Sequence, residues 1–426
     1  MKTDTARHDS FADSQISIEL ACRGDTEYTK VSYPVKYGLF SKLETKNYVF
    51  EFNLNHEIRH AKSKKKEWLH PSEWLKRTIG NDWIYYSSGG YAGVFEALGE
   101  YYLPNLTYAT NSLLGGKPFK ENEILNITEH WHDIISEIPA DRLPEPFAQW
   151  LDSVCSNSPE KLQKRAEALF EISGSRVSVI PPDARHVDYN IIPVNICDGC
   201  LYKCRFCKVK NKKKFAERSD EDIENQIVQL KKFYGKDMIN YNALFIGEHD
   251  GLAASGSLIL ETMHKAFDVF EFSRSIMKHN YAFIFGSVDS FLETGMSFFE
   301  SLDNLDFLTF INIGIESYDQ ATLDLLGKPL TCEKVKLAFD RAMHINDRFA
   351  NIEITCNFVM DDSLPSSHHK ALLSLISKNT GRTRPKGCIY LSPLQFGNPS
   401  RKVLYDFYRI KAASRFPTFL YLIQRL

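Results

Sequence analysis

The sequence predicts an α/β fold, a parallel sheet built from six strand–helix units and preceded by an N-terminal α+β segment. Three observations predict it. Beyond about residue 180, apolar strand-like runs alternate with amphipathic stretches of helical period, the pattern of consecutive βα units. Polar residues collect where each run ends, as site residues do at the carboxyl ends of strands in parallel barrels. In the fifth run, Glu353, Thr355 and Asn357 share one face while Ile352, Ile354 and Phe358 share the other. A strand packed between two apolar layers has no such polar face, so the run suggests a lumen that holds something hydrophilic. The alternation by itself does not separate an open doubly wound sheet from a partial barrel.

In chain order, residues 16–55 read as short strands with alternating stretches such as 48-YVFEFNL-54. Residues 67–116 are rich in Trp and Tyr and hold the glycine loop 87-SSGGYAG-93, which matches neither phosphate-loop spacing and reads as a turn. The aromatics Trp68, Trp74, Trp83, Tyr85, Tyr86 and Tyr91 either fill a core or line a pocket, and core is the usual place for such residues. A helix is predicted over 159–172, with Ser158 to cap it, Pro159 in its first turn and Gly174 to end it. The stretch 173-SGSRVSVIPPDARHVD-188, with its Ser, Gly and Pro, reads as a linker. An accessory domain over 1–180 and a core domain over 181–426 follow. The six strands are expected at 189–196, 241–247, 281–287, 307–314, 351–360 and 387–394. Helices lie between them, as at 220–235 and 331–345. A C-terminal helical tail ends in the apolar 416-FPTFLYLIQRL-426, which covers the sheet's open side or docks a partner.

Bulk composition narrows the class. Lys plus Arg total 52 against 54 Asp plus Glu, a balance that gives no global argument for nucleic acid or an anionic membrane. No apolar run reaches the roughly 18 residues needed to span a bilayer, and the polar start MKTDTARHDSFADSQ lacks a signal-peptide core. The expectation is a cytoplasmic protein whose nine cysteines are thiols or metal ligands rather than disulfides.

Four of those cysteines crowd into 197-CDGCLYKCRFC-207. Four thiolates could close around structural zinc, although zinc dyads usually sit further apart. They could all hold an iron–sulfur cluster, although ferredoxin spacing differs. Or only Cys200, Cys204 and Cys207 bind, leaving one iron of a [4Fe–4S] cluster open, as a catalytic metal site requires. Cys197 is then a small buried residue at the strand end. The lysines that follow (Lys208, Lys210, Lys212, Lys213, Lys214) and the run Lys62, Lys64, Lys65, Lys66 raise an RNA reading. Solvated loops are the commoner explanation at this net charge.

The C-x3-C-x-aromatic-C spacing, with Phe206 before the last cysteine and the loop directly after the first strand, resembles the radical SAM superfamily over about residues 189–394. The resemblance implies a partial (β/α)6 TIM-like barrel, a [4Fe–4S] cluster on Cys200, Cys204 and Cys207, and S-adenosyl-L-methionine as second cofactor. It implies reductive cleavage of that cofactor to a 5′-deoxyadenosyl radical that takes hydrogen from a substrate, and a one-electron reductant such as flavodoxin or ferredoxin. The family's Gly-Gly-Glu-Pro segment is here 247-GEHDGL-252, similar to a variant of the Elp3-like branch, so Gly247 and Glu248 are carried over as cofactor-binding. His249 and Asp250 could be plain loop residues. The segment 314-GIESYDQATLDLLGKPLT-331 is similar to the same branch's G-x-E-S…L…K…T and implies Glu316, beside Ser317, at the cofactor ribose. A carboxylate can accept both ribose hydroxyls; a helix-capping turn is the plainer alternative. Asn357 and 392-SP-393 resemble further polar contacts at strand ends. The extra upstream cysteines of methylthiotransferases and the D-x-H-x-x-G cobalamin signature do not occur. The rival class is a non-catalytic iron–sulfur or zinc module that binds RNA through its lysine-rich loop.

Overall fold

The computed structural model describes residues 8–28, 36–68, 73–86, 100–102, 121–177, 179–207, 213–378, 385–394, 401–421 and 426. The glycine loop 87–93, with Tyr91, lies outside these residues, as do Lys208, Lys210 and Lys212, the side chains of Tyr85 and Tyr86, and residues 422–425 of the apolar tail.

The N-terminal part is an antiparallel meander of eight strands in chain order. They are β1 (Asp9–Ala12), β2 (Ile16–Arg23), β3 (Leu39–Thr45), β4 (Tyr48–Phe52), β5 (Ile58–Ser63), β6 (Trp74–Arg77), β7 (Trp83–Tyr86) and β8 (Glu100–Tyr102). Helices α1 (Glu121–Ser136), α2 (Glu145–Cys155) and α3 (Pro159–Ser173) follow. Phe50, Phe52, Ile58 and Leu75 of the sheet share a core with Ile127 and Trp131 of α1 and Trp150 of α2. Trp68 belongs to that core and Trp83 packs on it, and Trp74 is buried as well. The helix at 159–173 forms as its caps dictate. The Ser158 side chain accepts the Lys161 N–H, and Gly174 closes it at φ 77.

All six expected strands of the core are present: β9 (Ile192–Val194), β12 (Ala243–Ile246), β13 (Tyr281–Gly286), β14 (Leu308–Glu316), β15 (Ile352–Met360) and β16 (Ile389–Pro393). The short strands β10 (Cys197–Asp198) and β11 (Ala216–Glu217) pair apart from them. The expected tail adds α11 (Arg401–Ala413) and then a seventh parallel strand, β17 (Thr418–Leu420), on β16. The stretch held too few residues after Pro417 to show a period of its own, and β16's free edge decides it. The sheet runs β9-β12-β13-β14-β15-β16-β17, all parallel, with β9 and β17 as its edges. This is the expected α/β fold, consistent with a partial TIM-like barrel beside an N-terminal domain.

Alternation along the strands sorts their side chains into two layers. Leu244, Ile246, Ile284, Ile311 and Ile354 face the helices, where α4 (Asp220–Tyr234), α5 (Gly256–Val269) and α9 (Cys332–Arg348) bury Ile227, Met263 and Phe339 against them. Ala243, Phe245, Phe283 and Phe310 face inward and pack on Val177, Ile180, Ala184 and Val187. Val177, Ile180, Ala184 and Val187 of the stretch read as a linker are therefore packed inside the sheet's curve, and part of the stretch forms a 3-10 turn at Pro182–Val187. Ser, Gly and Pro marked irregular backbone correctly, but irregular backbone is not the same as exposed backbone.

The polar face of β15 is largely satisfied by that inserted segment and its neighbours. Asp183 accepts from Thr355 Oγ1 at 2.6 Å and from Tyr390 OH at 2.7 Å. Glu353 Oε1 accepts the Gly387 N–H. Only the last residue of the face, Asn357, reaches the open cavity.

The N-terminal sheet docks at the amino ends of the core strands. The Leu39 N–H donates to Asn240 Oδ1 at 2.7 Å, just before β12, and the Lys278 N–H donates to the Thr26 carbonyl, just before β13. Lys76 pairs with Asp188 at 2.9 Å ahead of β9. Trp68 and Trp83 thus serve the core of this part, and the cysteine loop lies at the opposite end of the sheet.

Candidate active site

Every polar cluster at a strand end faces one cavity of about 190 Å³. The cysteine loop forms one wall. β10 and β11 cinch it at its base, where Cys197 pairs with Glu217 and Asp198 binds Arg218 at 3.0 Å. Within the loop, exposed Leu201, Lys203 and Arg205 alternate with buried Tyr202 and Cys204. Two ties hold it to the barrel. The Asp289 N–H donates to Tyr202 OH at 3.0 Å, and the Arg205 N–H donates to the Leu326 carbonyl at 2.9 Å. Phe206, the aromatic before the last cysteine, packs beside Leu326, Val359 and Leu364.

Cys200, Cys204 and Cys207 all line the cavity, and Cys197 does not. Cys197 is 2% exposed, sits in the apolar layer and makes only a long contact of 3.9 Å to the Asp250 carbonyl. Burial pushes the Cys197 thiol up to about 12 and Cys200 up to about 11. Burial raises Cys204 too, while the Lys328 ammonium pulls Cys200 and Cys204 the other way. No three loop sulfurs lie mutually within 4.8 Å. Thiolates on one tetrahedral zinc, at about 2.3 Å from it, would sit about 3.8 Å apart. Three thiols on one loop are the kind of donor set that an iron–sulfur cluster takes.

The turn after β12 forms the next wall. Gly247 holds φ 74, and a Cβ there would come within 2.7 Å of Gly251 Cα; a glycine is required. Glu248 is buried against the cavity, with His249 Nε2 at 3.7 Å. Asp250, left as a plain loop residue by the sequence, does two things. Its Oδ1 accepts from the Ser287 N–H and Ser290 Oγ at the start of α6 (Val288–Glu293), while its buried Oδ2 has no protein partner. Burial raises the Asp250 carboxyl above its ordinary range. His249 Nε2 is likewise buried without a hydrogen-bond partner. Two such polar atoms beside a cavity are the mark of a site shaped for a polar ligand.

β14 supplies the most constrained group. Its pairing with β15 slips between Gly314 and Glu316, and Glu316 takes φ 69. That bulge brings Glu316 to the cavity wall next to Gly314. Lys328, at the end of the 314–331 segment, donates to Glu316 Oε1 at 3.0 Å and to the Gly314 carbonyl at 2.6 Å. Burial pulls its ammonium down, but Glu316 and the thiols outweigh that and raise it. Sequence reasoning passed over Lys328, although the lysine lay inside the segment it quoted. Ser317 points elsewhere. It is fully buried, bonds His368 Nδ1 at 2.8 Å, accepts the Asp319 N–H, and does not line the cavity. Asn357 and Ser392 do line it.

Several of the described lysines are already engaged within the protein. Lys64 and Lys65 pair with Glu44 and Glu123, Lys62 lies over the Trp74 ring, and Lys213 pairs with Asp198. Among the described residues, the compact trio of ligand types elsewhere is His8, Glu19 and Cys22, and Lys42 already neutralises Glu19 at 3.2 Å. Among them too, no helix is long and apolar enough to cross a membrane.

Residues 194–355, which hold the cysteine loop and the whole of β12, β13 and β14, match the family model described as the Radical SAM superfamily. The chain carries a radical SAM domain. Such domains belong to enzymes, work with a [4Fe–4S] cluster and S-adenosyl-L-methionine, and need a reductant. No curated protein matches the sequence. Among solved structures, the radical S-adenosylmethionine methyltransferase TsrM from Kitasatospora setae is 10% identical over 47% of this chain and 36% of its own, with a TM-score of 0.33. The cobalamin-dependent S-adenosylmethionine radical enzyme OxsB is 18% identical over 53% and 31%, at 0.34. Methylornithine synthase (PylB) is 10% identical over 62% and 78%, at 0.34. The chain thus spans about a third of the TsrM and OxsB chains.

Proposed function

We propose that this protein is a radical SAM enzyme of the Elp3-like type, with its cluster on Cys200, Cys204 and Cys207. The observation that carries the reading is the division among the four thiols: three line the cavity and Cys197 is packed away from it. When bound, the cluster and cofactor supply reductive cleavage of the sulfonium bond to methionine and a 5′-deoxyadenosyl radical, which takes hydrogen from the substrate.

The protein's own residues hold and enclose. Gly247 and Glu248 bind the cofactor's amino end, with the buried Glu248 carboxylate as acceptor. Glu316, held by Lys328, accepts from the ribose. Asn357 offers a third polar contact across the cavity. Ser317 acts one step back, fixing the turn that carries Glu316. Val179 of the inserted segment gives the cavity an apolar wall, which helps keep water from a reactive centre. Support for the Elp3-like type is the pairing of Glu316 with Lys328 within one motif segment. Residues 1–180 form an accessory domain and 181–426 the core. The reductant is a flavodoxin or ferredoxin, and the compartment is the cytoplasm, in keeping with nine free thiols.

Anaerobic reconstitution tests this. The wild type binds about four irons per chain and releases 5′-deoxyadenosine on reduction. Cys200→Ala, Cys204→Ala and Cys207→Ala lose the iron, and Cys197→Ala keeps it. Loss of iron from Cys197→Ala equal to the other three overturns the reading, because no open iron then remains.

A further inference from the structure

We propose that Asp183 is a positioning residue for the cavity. Through a hydrogen-bond relay across three strands, it fixes which way the Asn357 amide faces and so presents its carbonyl oxygen to a donor group of the ligand. The inference rests on the reading above, in which Asn357 meets that ligand.

The relay follows from counting protons. A carboxylate only accepts. Tyr390 OH accepts the Arg185 Nε–H at 3.0 Å and gives its own proton to Asp183 Oδ1 at 2.7 Å. Thr355 gives its single hydroxyl proton to Asp183 Oδ2 at 2.6 Å. Its oxygen can then only accept, and it takes an N–H from Asn312 Nδ2 at 2.8 Å. That choice turns the Asn312 oxygen toward β15, where it accepts from Asn357 Nδ2 at 2.6 Å. Asn357 Oδ1 is left 3.5 Å from Asn312 Nδ2, too far for a strong bond, with a lone pair for the cavity that Asn357 lines.

An amide has nearly the same shape flipped, so sterics alone do not choose its orientation. Here Asp183, Asn312, Thr355 and Tyr390 are at most 1% exposed. Bulk water does not reach them, and reversing one bond leaves a buried group unpaired, at a cost of about 1–3 kcal/mol. Burial pushes the Asp183 carboxyl up to about 6, with Thr355, Tyr390 and Arg185 opposing and Glu353 adding; the hydroxyls of Tyr390 and Thr355 each direct a proton to one of its oxygens, so it accepts at both. Cys356 and Cys388, the other titratable groups near it, are thiols whose burial raises them further.

Thr355→Val and Thr355→Ser separate the relay from packing. Val keeps the shape and removes the hydroxyl; Ser keeps the hydroxyl and loses a methyl. The readout is calorimetric binding of S-adenosylhomocysteine, which needs no reductant, to the reconstituted full chain at matched iron content. Thr355→Val weakens binding about three- to tenfold, the worth of one net hydrogen bond, and Thr355→Ser restores it. Asn357→Ala weakens it at least as much, and Thr355→Val added to Asn357→Ala changes nothing further. Asp183→Asn, of unchanged shape, must turn an N–H toward Thr355 or Tyr390; it gives the same loss if Thr355→Val does not fold. The relay is overturned if Thr355→Val binds as the wild type does, if Thr355→Ser is equally impaired, or if the double variant shows additive losses. No effect of Asn357→Ala overturns it too and places the failure in the assignment of Asn357. No binding by the wild type places it in the functional reading itself.

Discussion

Lys328→Met tests the most constrained contact in the site. The substitution keeps most of the apolar stem and removes the ammonium. Two bonds disappear, to Glu316 Oε1 at 3.0 Å and to the Gly314 carbonyl. The side chains are 5% and 12% exposed, so solvent does little to screen them. At an effective dielectric of about 20, unit charges at that separation attract by roughly 5.5 kcal/mol. The ammonium's own burial penalty offsets part of this, and breaking one side of a buried pair typically costs about 3–5 kcal/mol. Glu316 also holds φ 69 at a bulge, a conformation that needs its surroundings to hold it. Hydrogen exchange of amides 314–317, read beside global urea unfolding, therefore reports local opening easier by about 3–5 kcal/mol. Glu316→Gln added to Lys328→Met recovers part of that loss, because no uncompensated charge remains. A loss below about 1 kcal/mol, the level of an exposed ion pair, refutes the reasoning. So does a double variant no better than Lys328→Met alone.

The remaining predictions are simpler. Gly247→Ala places a Cβ 2.7 Å from Gly251 Cα at φ 74; both the contact and the left-handed backbone oppose it, and thermal unfolding falls by at least about 2 kcal/mol. Burial raises the Asp237 carboxyl to about 6 from 3.8. The folded state then holds a proton that the unfolded state has released, so stability falls as pH rises through about 4 to 6, by up to roughly 3 kcal/mol. Asp237→Asn makes that slope shallower in unfolding measured from pH 4.5 to 7 and leaves the contribution of Asp183, whose carboxyl burial raises to about 6 in the same way. The window excludes most of the opposite contribution from Glu51, whose carboxyl His60 and Lys36 hold at about 2 against its burial.

Much of the architecture was legible because its cause is local. The six strands came from apolar runs, and α3 came from Ser158, Pro159 and Gly174, since each depends on neighbours a few residues away. The cysteine spacing was legible for the same reason. Lys328 was not, because its partner Glu316 is twelve residues away across a bulge that no propensity announces. Ser317 sits beside Glu316 in sequence yet turns toward His368, fifty-one residues on. β17 forms because β16 offers it an edge.

The sequence by itself determined the alternating core, the thiol-bearing loop at its first strand end, and the class of chemistry those thiols imply. Tertiary structure alone decided that Ser317 turns away from the cavity, that residues near 177–187 fill the lumen instead of linking domains, and that the N-terminal sheet covers the far end. The physical reason is range. Strand periods, caps and ligand spacings are fixed by bonds and contacts within a few residues, whereas the buried polar network of Asp183, Thr355 and Tyr390 exists only once segments about 170–210 residues apart have met and water has been excluded from between them.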